Sequence, residues 1–339
     1  MTDQSPAPLA PPSLADIEDA RARLAPHAVR TPLLSSPFLD EIAGRPVFLK
    51  AECLQRTGSF KFRGAWSAVS ALPPGTTGVI AYSSGNHAQG VALAARMKSL
   101  PAVIIMPSDA PRLKQENTRA LGAEVVLYDR HGEDRDAIGR EIATARDLVL
   151  VKPFDNPMVI AGQGTCGLEI AEQAAALGFA EATVLTCCGG GGLTSGIALA
   201  LEARAPGMQV RPVEPEHYDD VARSLDAGRI VPVEHTPPST CDAIVTRAPG
   251  SLTFPVMQRL CGPGIVVTEA EAHRAVALAF ARLKVVLEPG GAVALAAALF
   301  HGNTLTREGG PDATPVIATA SGGNVDAALF ARILTDNPV

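Results

Sequence analysis

Six lysines stand against twenty-three arginines in this chain, and one of them, Lys61, lies in TGSFKFRGA between Phe60 and Phe62. An ammonium pressed between apolar rings loses hydration, which lowers its pKa and leaves an amine able to act as nucleophile or base. The competing reading, a surface lysine with aromatic sequence neighbours, is weighed by what accompanies it. Gly189, Gly190, Gly191 and Gly192 are consecutive, between the run ATVLTCC and the helical pattern LTSGIALALEA. Amides freed by glycine at a helix N-terminus point at an anion, and the helix dipole adds to the attraction. A flexible linker is the alternative, but linkers seldom sit between a strand and its crossover helix. Neither GxGxxG nor GxxxxGK[ST] occurs, so a phosphate site is favoured over a dinucleotide site, although Glu214 stands where a ribose-binding acid could follow.

Three further tracts follow strand-like runs. SSGNHAQG (83–90) offers Ser83, Ser84, Asn86 and His87 beside free helix-terminal amides, a cradle suited to a carboxylate and a phenolic oxygen; as a plain capped helix start it is unremarkable. ASGGNVD (320–326) puts Ser321 at a strand terminus among glycines that let a ring approach, and EPGGA (288–292) is another glycine-rich helix start. Each of these two also reads as ordinary turn chemistry.

The elements that must position these groups are legible as alternation. GVIAY (78–82), AVIIM (102–106), AEVVLY (123–128) and LVLV (148–151) are separated by amphipathic stretches. A second series comprises ATVLTCC (182–188), VRPVEP (210–215) and PVIATAS (315–321). Strands alternating with helices predict an α/β fold of two lobes, each a mainly parallel sheet flanked by helices, with ligands at the strands' carboxyl ends. The expected lobes are a large cofactor-binding one over 1–75 and 155–339 and a small substrate-closing one over 76–154. The proline-rich residues 1–12 are expected to be disordered.

Composition narrows the function. The 339 residues are 47% hydrophobic, with a formal net charge of −6, and no basic run stands out, which argues against a nucleic-acid partner. No apolar stretch is long enough to span a bilayer, and the first residues lack a signal peptide's apolar core. Six cysteines, at 53, 166, 187, 188, 241 and 261, form no CxxC pair and no zinc spacing, so a reducing cytoplasm is expected.

Taken in order, SFKFRGA, SSGNHAQG, VIAGQGT, CGGGGL and SGGN resemble the fold-type II pyridoxal-phosphate enzymes, specifically the serine/threonine dehydratase and serine racemase group. The likeness runs from about residue 27 to SGGNVD. It implies that Lys61 holds pyridoxal 5'-phosphate covalently and removes the substrate's α-proton. The amides of Gly189, Gly190, Gly191, Gly192 and Leu193 would bind the phosphate, Asn86 the ring hydroxyl, and Ser321 the pyridine nitrogen. Ser83 and His87 would seat the substrate carboxylate, and Ser84 would stand opposite the lysine as in serine racemases. A neutral Ser321 makes the cofactor a weaker electron sink than an aspartate would, which favours expulsion of a β-leaving group. The implied reaction is elimination of water from a β-hydroxy amino acid, giving a 2-oxo acid and ammonia, in a homodimer or homotetramer. Racemisation is the rival, and Phe154, shared with many dehydratases, weighs against it.

Two further readings follow from the resemblance. In VEPEHYDD, the positions at which eukaryotic serine racemases bind a divalent cation fall on Glu214, the Tyr218 carbonyl and Asp220, and oxygen ligands suit Mg²⁺ or Ca²⁺, with Mn²⁺ a further candidate. An acidic, solvated helix start is the alternative. Arg135 matches an arginine of serine racemase that typical threonine dehydratases lack. A guanidinium there would pair with a second substrate carboxylate, which points to 3-hydroxyaspartate and oxaloacetate. A helix-surface arginine paired with Glu133 or Asp136 is the alternative, leaving a threonine/serine dehydratase.

Overall fold

Short apolar runs that bury both faces become the middle strands of two separate sheets. The computed structural model describes residues 9–83, 85–110, 112–129, 132–234, 236–305 and 314–339. Ten strands form among them: β1 (Leu33–Ser35), β2 (Val47–Lys50), β3 (Val79–Tyr82), β4 (Ala102–Pro107), β5 (Glu124–Tyr128), β6 (Val149–Leu150), β7 (Ala182–Cys187), β8 (Met208–Pro215), β9 (Ile265–Val267) and β10 (Val316–Thr319). Six run in the order β1-β2-β10-β7-β8-β9, with only the β1–β2 edge pair antiparallel. The other four, β5-β4-β3-β6, are all parallel. Every residue of β4, β7 and β10 is buried, as expected where helices cover both faces of a parallel sheet. The mixed α/β architecture expected from the alternation is therefore present, with β1, β2 and β9 as strands that the pattern did not announce.

The helices that matter for chemistry start where these strands end. Asn86–Met97 follows β3, Gly192–Arg204 follows β7, and Lys61–Ser70 begins shortly after β2. Helix Pro289–Phe300 is almost wholly apolar and buried along all but its last residue, and it packs against the larger sheet. Among the described residues no helix is long and apolar enough to cross a membrane.

A buried ionic network fixes the lysine helix. Arg63, two residues beyond Lys61, makes a two-pronged contact to Glu52 (2.7 and 2.8 Å) and another to Glu169 (2.8 and 2.9 Å). Lys50 Nζ donates to Glu169 Oε2 at 2.6 Å and to the Thr31 carbonyl at 2.7 Å. Two cations face two anions, so little net charge is buried, and every group has partners, the condition under which such a network is tolerable. It ties the strand β2, the turn after it and helix Pro157–Ala176 to the helix that presents Lys61.

Candidate active site

A cavity of about 340 Å³ opens between the carboxyl ends of the two sheets and is lined by Lys61, Ser83, Asn86, His87, Arg135, Gly189, Gly190, Gly191, Gly192, Leu193 and Glu288, among others. Ten of the residues singled out in the sequence thus meet at one place. Ser84 lies outside the described residues. Ser321 is buried but sits behind the cavity wall, next to Cys187, which does line it.

Lys61 is the first residue of its helix, and its Nζ donates to the Pro153 carbonyl at 3.0 Å. Burial pulls its pKa down to about 8, with the Glu288 charge pulling the other way. The apolar flank is one-sided. Phe60 lies 5.0 Å from Nζ, whereas Phe62 is fully buried in the core with Ala65, Trp66 and Val69. Successive helical residues diverge by about 100°, so a phenylalanine on each side in sequence is not a phenylalanine on each side in space.

The glycine loop leaves its amides free. Gly191 is the N-cap of helix Gly192–Arg204, with φ 88° in the left-handed region and no side-chain cap. The carbonyls of the loop point away from the cavity: Gly190 O accepts from Gly250 N and Thr253 Oγ1, and Gly191 O from Ser195 N. Space is as restrictive as conformation here, since a Cβ on Gly190 would lie 2.4 Å from the Phe154 ring. Unpartnered amides at a helix N-terminus, walled by an aromatic ring, suit a phosphate group.

Polar groups on the opposite wall are held in defined states. His87 Nε2 donates to the Val151 carbonyl at 2.8 Å, its Nδ1 is buried without a partner among the described residues, and burial lowers its pKa to about 3. His87 is therefore neutral, with an acceptor nitrogen left over. Asn86 accepts from Asn324 at 2.7 Å and donates to Glu288 Oε1 at 2.5 Å. Glu288 was not anticipated as a site residue. It is buried, its carboxyl is pushed up to about 7 chiefly by desolvation, and its Oε2 has no partner among the described residues. The signal for it in the sequence was an acid among the apolar residues of VVLEPGGAVALAAALF. Tyr82, Lys114 and Asp242 were missed as well. They also line the cavity, and Lys114 pairs with Asp242 at 2.6 Å across its mouth.

Arg135 opens helix Arg135–Arg146 and is half exposed, with Nε 3.5 Å from Asp136 Oδ1, so the surface pairing considered from the sequence is present. Its guanidinium nevertheless lines the cavity and lies over the Tyr82 ring, 5.5 Å from the centroid.

Glu214, Tyr218 and Asp220 sit away from this cavity, at the end of β8. Glu214 is not a solvated acid. It is fully buried and accepts from Val221 N (3.0 Å) and Ala222 N (2.7 Å), the free amides of helix Asp220–Ala227. Asp220 is also fully buried, and among the described residues neither of its carboxylate oxygens makes a hydrogen bond of good geometry, although the Thr246 hydroxyl and its own amide lie near enough to lower its pKa. Desolvation raises both pKa values, Glu214 well above the usual range and Asp220 to about 7. Among the described residues no group of three or more His, Cys, Asp or Glu side chains is placed to hold a metal, so any ion here depends on two carboxylates and backbone oxygen.

Comparison with known proteins agrees with this geometry. The family model for "Pyridoxal-phosphate dependent enzyme" matches residues 24–324. The chain is 42% identical over 321 residues to an L-threo-3-hydroxyaspartate ammonia-lyase of Pseudomonas sp, covering 94% of this chain and 97% of that one. It is 38% identical to a serine racemase of Mus musculus, covering 93% and 92%. Among solved structures, a threonine deaminase from T.th. superposes with a TM-score of 0.86 at 45% identity, covering 93% and 99%. With the lysine, the free amides and the neutral histidine gathered in one cleft and the family model spanning nearly the whole chain, this protein belongs to the pyridoxal-phosphate dependent enzymes, in their fold-type II form.

Proposed function

We propose that the protein is an ammonia-lyase that eliminates water from 3-hydroxyaspartate and releases oxaloacetate and ammonia. The observation that carries the reading is the cavity itself, where a lysine amine with a pKa of about 8 shares one space with the free amides of Gly189–Leu193 and a guanidinium at the mouth. The named activity of the Pseudomonas relative supports the choice of substrate. Pyridoxal phosphate, held by Lys61 and by the amides of Gly189, Gly190, Gly191, Gly192 and Leu193, supplies the electron sink that acidifies an amino acid's α-proton. Asn86 would bind the cofactor's ring hydroxyl, and Ser321 would serve its pyridine nitrogen.

Lys61 Nζ takes the α-proton, a role open to an amine that gives up its own proton near neutrality. Ser83 Oγ, which already accepts from Gly85 N at 3.2 Å, and the free amides opening helix Asn86–Met97 bind the α-carboxylate. Neutral His87 adds no charge that would compete with Lys61 for that carboxylate. Arg135 pairs with the second carboxylate, exchanging its exposed contact to Asp136 for a bidentate one. That contact to Asp136 also supports a second reading, a threonine/serine dehydratase in which Arg135 stays on the helix surface; the 45%-identical threonine deaminase agrees with it. Racemisation is the weaker rival, requiring Ser84 opposite Lys61. In all these readings residues 76–154 form the lobe that closes over the substrate, against a cofactor lobe of 1–75 and 155–339.

A divalent cation, Mg²⁺ by preference, fits between Glu214, the Tyr218 carbonyl and Asp220. A buried carboxylate with little beyond the Thr246 hydroxyl and its own amide to satisfy it is costly, and a hard cation with water would satisfy it. Exposed Phe38, Ile42, Phe280 and Val286 support a homo-oligomer, dimer or tetramer, and six unpaired cysteines support a reducing cytoplasm.

The test is purified protein assayed with 3-hydroxyaspartate, threonine and serine for keto acid and ammonia, before and after Arg135→Ala. A pair worth about 1.5–3 kcal/mol gives the dicarboxylate a preference of roughly ten- to hundredfold, lost in the variant. If threonine or serine is preferred by the unaltered enzyme, the dehydratase reading stands instead. Borohydride reduction should leave the cofactor on Lys61; an adduct on another lysine refutes the cofactor assignment.

A further inference from the structure

Tyr82 closes β3 and turns its ring toward helix Arg135–Arg146. Two observations show that this placement is built. Gly139 lies one turn after Arg135 on the same helical face, and a Cβ there would stand 2.1 Å from both Cε1 and Oη of Tyr82. A larger residue at 139 would therefore push the ring away. On the other side, the Arg135 guanidinium lies over the ring at 5.5 Å from its centroid, within cation–π reach. The start of the helix is fixed independently, since Asp134 Oδ1 accepts from Asp136 N at 2.8 Å and Ala137 N at 3.2 Å.

A half-exposed arginine has many rotamers, and most of them would carry this guanidinium away from the cavity. An aromatic ring under the guanidinium plane removes many of those rotamers yet leaves the edges, where the five N–H donors lie, open to a ligand. Asp136, half exposed and in contact at 3.5 Å, competes only through a solvated contact of little strength. Asp134 is occupied by the helix amides and by Arg140 at 3.9 Å.

We infer that Tyr82 is a positioning residue for Arg135: its ring, given room by Gly139, holds the guanidinium at the cavity mouth and so sets selectivity for substrates with a second carboxylate. The inference rests on the dicarboxylate reading and adds to it the residue that makes Arg135 effective.

The test compares kcat/KM for 3-hydroxyaspartate and threonine in the holoenzyme, Arg135→Ala, Tyr82→Phe, Tyr82→Leu and the Arg135→Ala/Tyr82→Leu double variant. Tyr82→Phe keeps the ring and should keep the preference ratio. Tyr82→Leu should lower that ratio roughly two- to fivefold through KM for the dicarboxylate. In the double variant, losing the ring should shift the ratio no further than Arg135→Ala alone, because one interaction cannot be removed twice. Tyr82→Met serves in place of leucine if that variant folds poorly. A preference lost in Arg135→Ala but kept in Tyr82→Leu overturns this inference alone. An Arg135→Ala enzyme with unchanged preference refutes the dicarboxylate reading and this inference with it.

Discussion

Replacing Arg63 by methionine tests the network behind Lys61, and its size can be worked from the contacts. The guanidinium supplies both carboxylate oxygens of Glu52 and both of Glu169. Without it Glu169 retains Lys50 at 2.6 Å, but Glu52, fully buried, keeps only the Thr31 hydroxyl. Breaking a buried pair from one side costs about 3–5 kcal/mol, because the stranded charge keeps its desolvation penalty. At about 2.1 cal/mol/K per residue, a chain of this length unfolds with an entropy near 0.7 kcal/mol/K, so Tm should fall by roughly 4–7 °C. The loss should depend on pH. Burial alone would raise the Glu52 pKa, but the Arg63 guanidinium beside it holds the carboxyl below its usual value. A depressed native pKa contributes stability above the unfolded pKa and loses it as pH falls through the native one. In Arg63→Met burial acts with far less opposition, and the carboxyl can take up a proton. The gap between variant and parent should thus be widest near pH 7 and shrink below about pH 4.5. Calorimetry of both proteins at several pH values provides the measurement. A fall of less than about 1 °C, or a gap that stays constant from pH 4 to pH 8, refutes the argument.

Two other outcomes are expected. Gly190→Ala drives a Cβ into the Phe154 ring and should weaken pyridoxal-phosphate binding by roughly tenfold or more, read by titrating the visible chromophore, with partial recovery in Gly190→Ala/Phe154→Ala. At the carboxylate pair, burial raises the Asp220 pKa to about 7, so without a cation the fold loses stability as pH rises toward 7; Mg²⁺ at a hundredfold excess over Kd should restore about 2.7 kcal/mol, more at pH 8 than at pH 6. Equal melting shifts at both pH values, or an unchanged shift in Asp220→Asn, would remove the ion from the site.

What could be read from the sequence divides along a physical line. ATVLTCC, AVIIM and PVIATAS announce strands because they are continuous β-branched runs ended by glycine or proline, and they became β7, β4 and β10. β1, β2 and β9 span three or four residues each, comparable with the two to four of β3, β6 and β10, which the sequence did announce; they lie at or next to the edges of the larger sheet, and their pairing there makes them strands. The site follows the same division. Asn86, His87 and the four glycines lie in local motifs at strand ends and Lys61 in one shortly after β2, so short-range sequence is enough to mark them as candidates. Glu288, Lys114 and Asp242 become site residues through contacts such as Asn86 with Glu288, 202 positions apart, and Lys114 with Asp242, 128 apart. No local pattern encodes such pairs. Phe62 shows the converse, a sequence neighbour of Lys61 that the helix turns into the core.

Burial leaves the titrating groups of the cavity in unlike charge states. His87, with a pKa near 3, stays neutral across the physiological range and can orient a ligand without exchanging a proton. Lys61 near 8 and Glu288 near 7 can both change charge close to neutrality, and each shifts the other toward its charged form. Asn86 connects them to the cleft: it donates to Glu288 and accepts from Asn324, so its amide is held from two sides while Glu288 Oε2 remains open. In the role proposed for Lys61, taking a proton from carbon and later releasing it, a nearby acid of similar pKa helps, since neither charge state is then strongly favoured. Had Glu288 been solvated, its pKa would lie near the ordinary carboxylate value and it would stay charged beside Lys61, holding the lysine protonated. Its burial at the N-cap of helix Pro289–Phe300 limits that upward pull, while the lowering that brings the amine within reach of its neutral form comes from the burial of Lys61 itself.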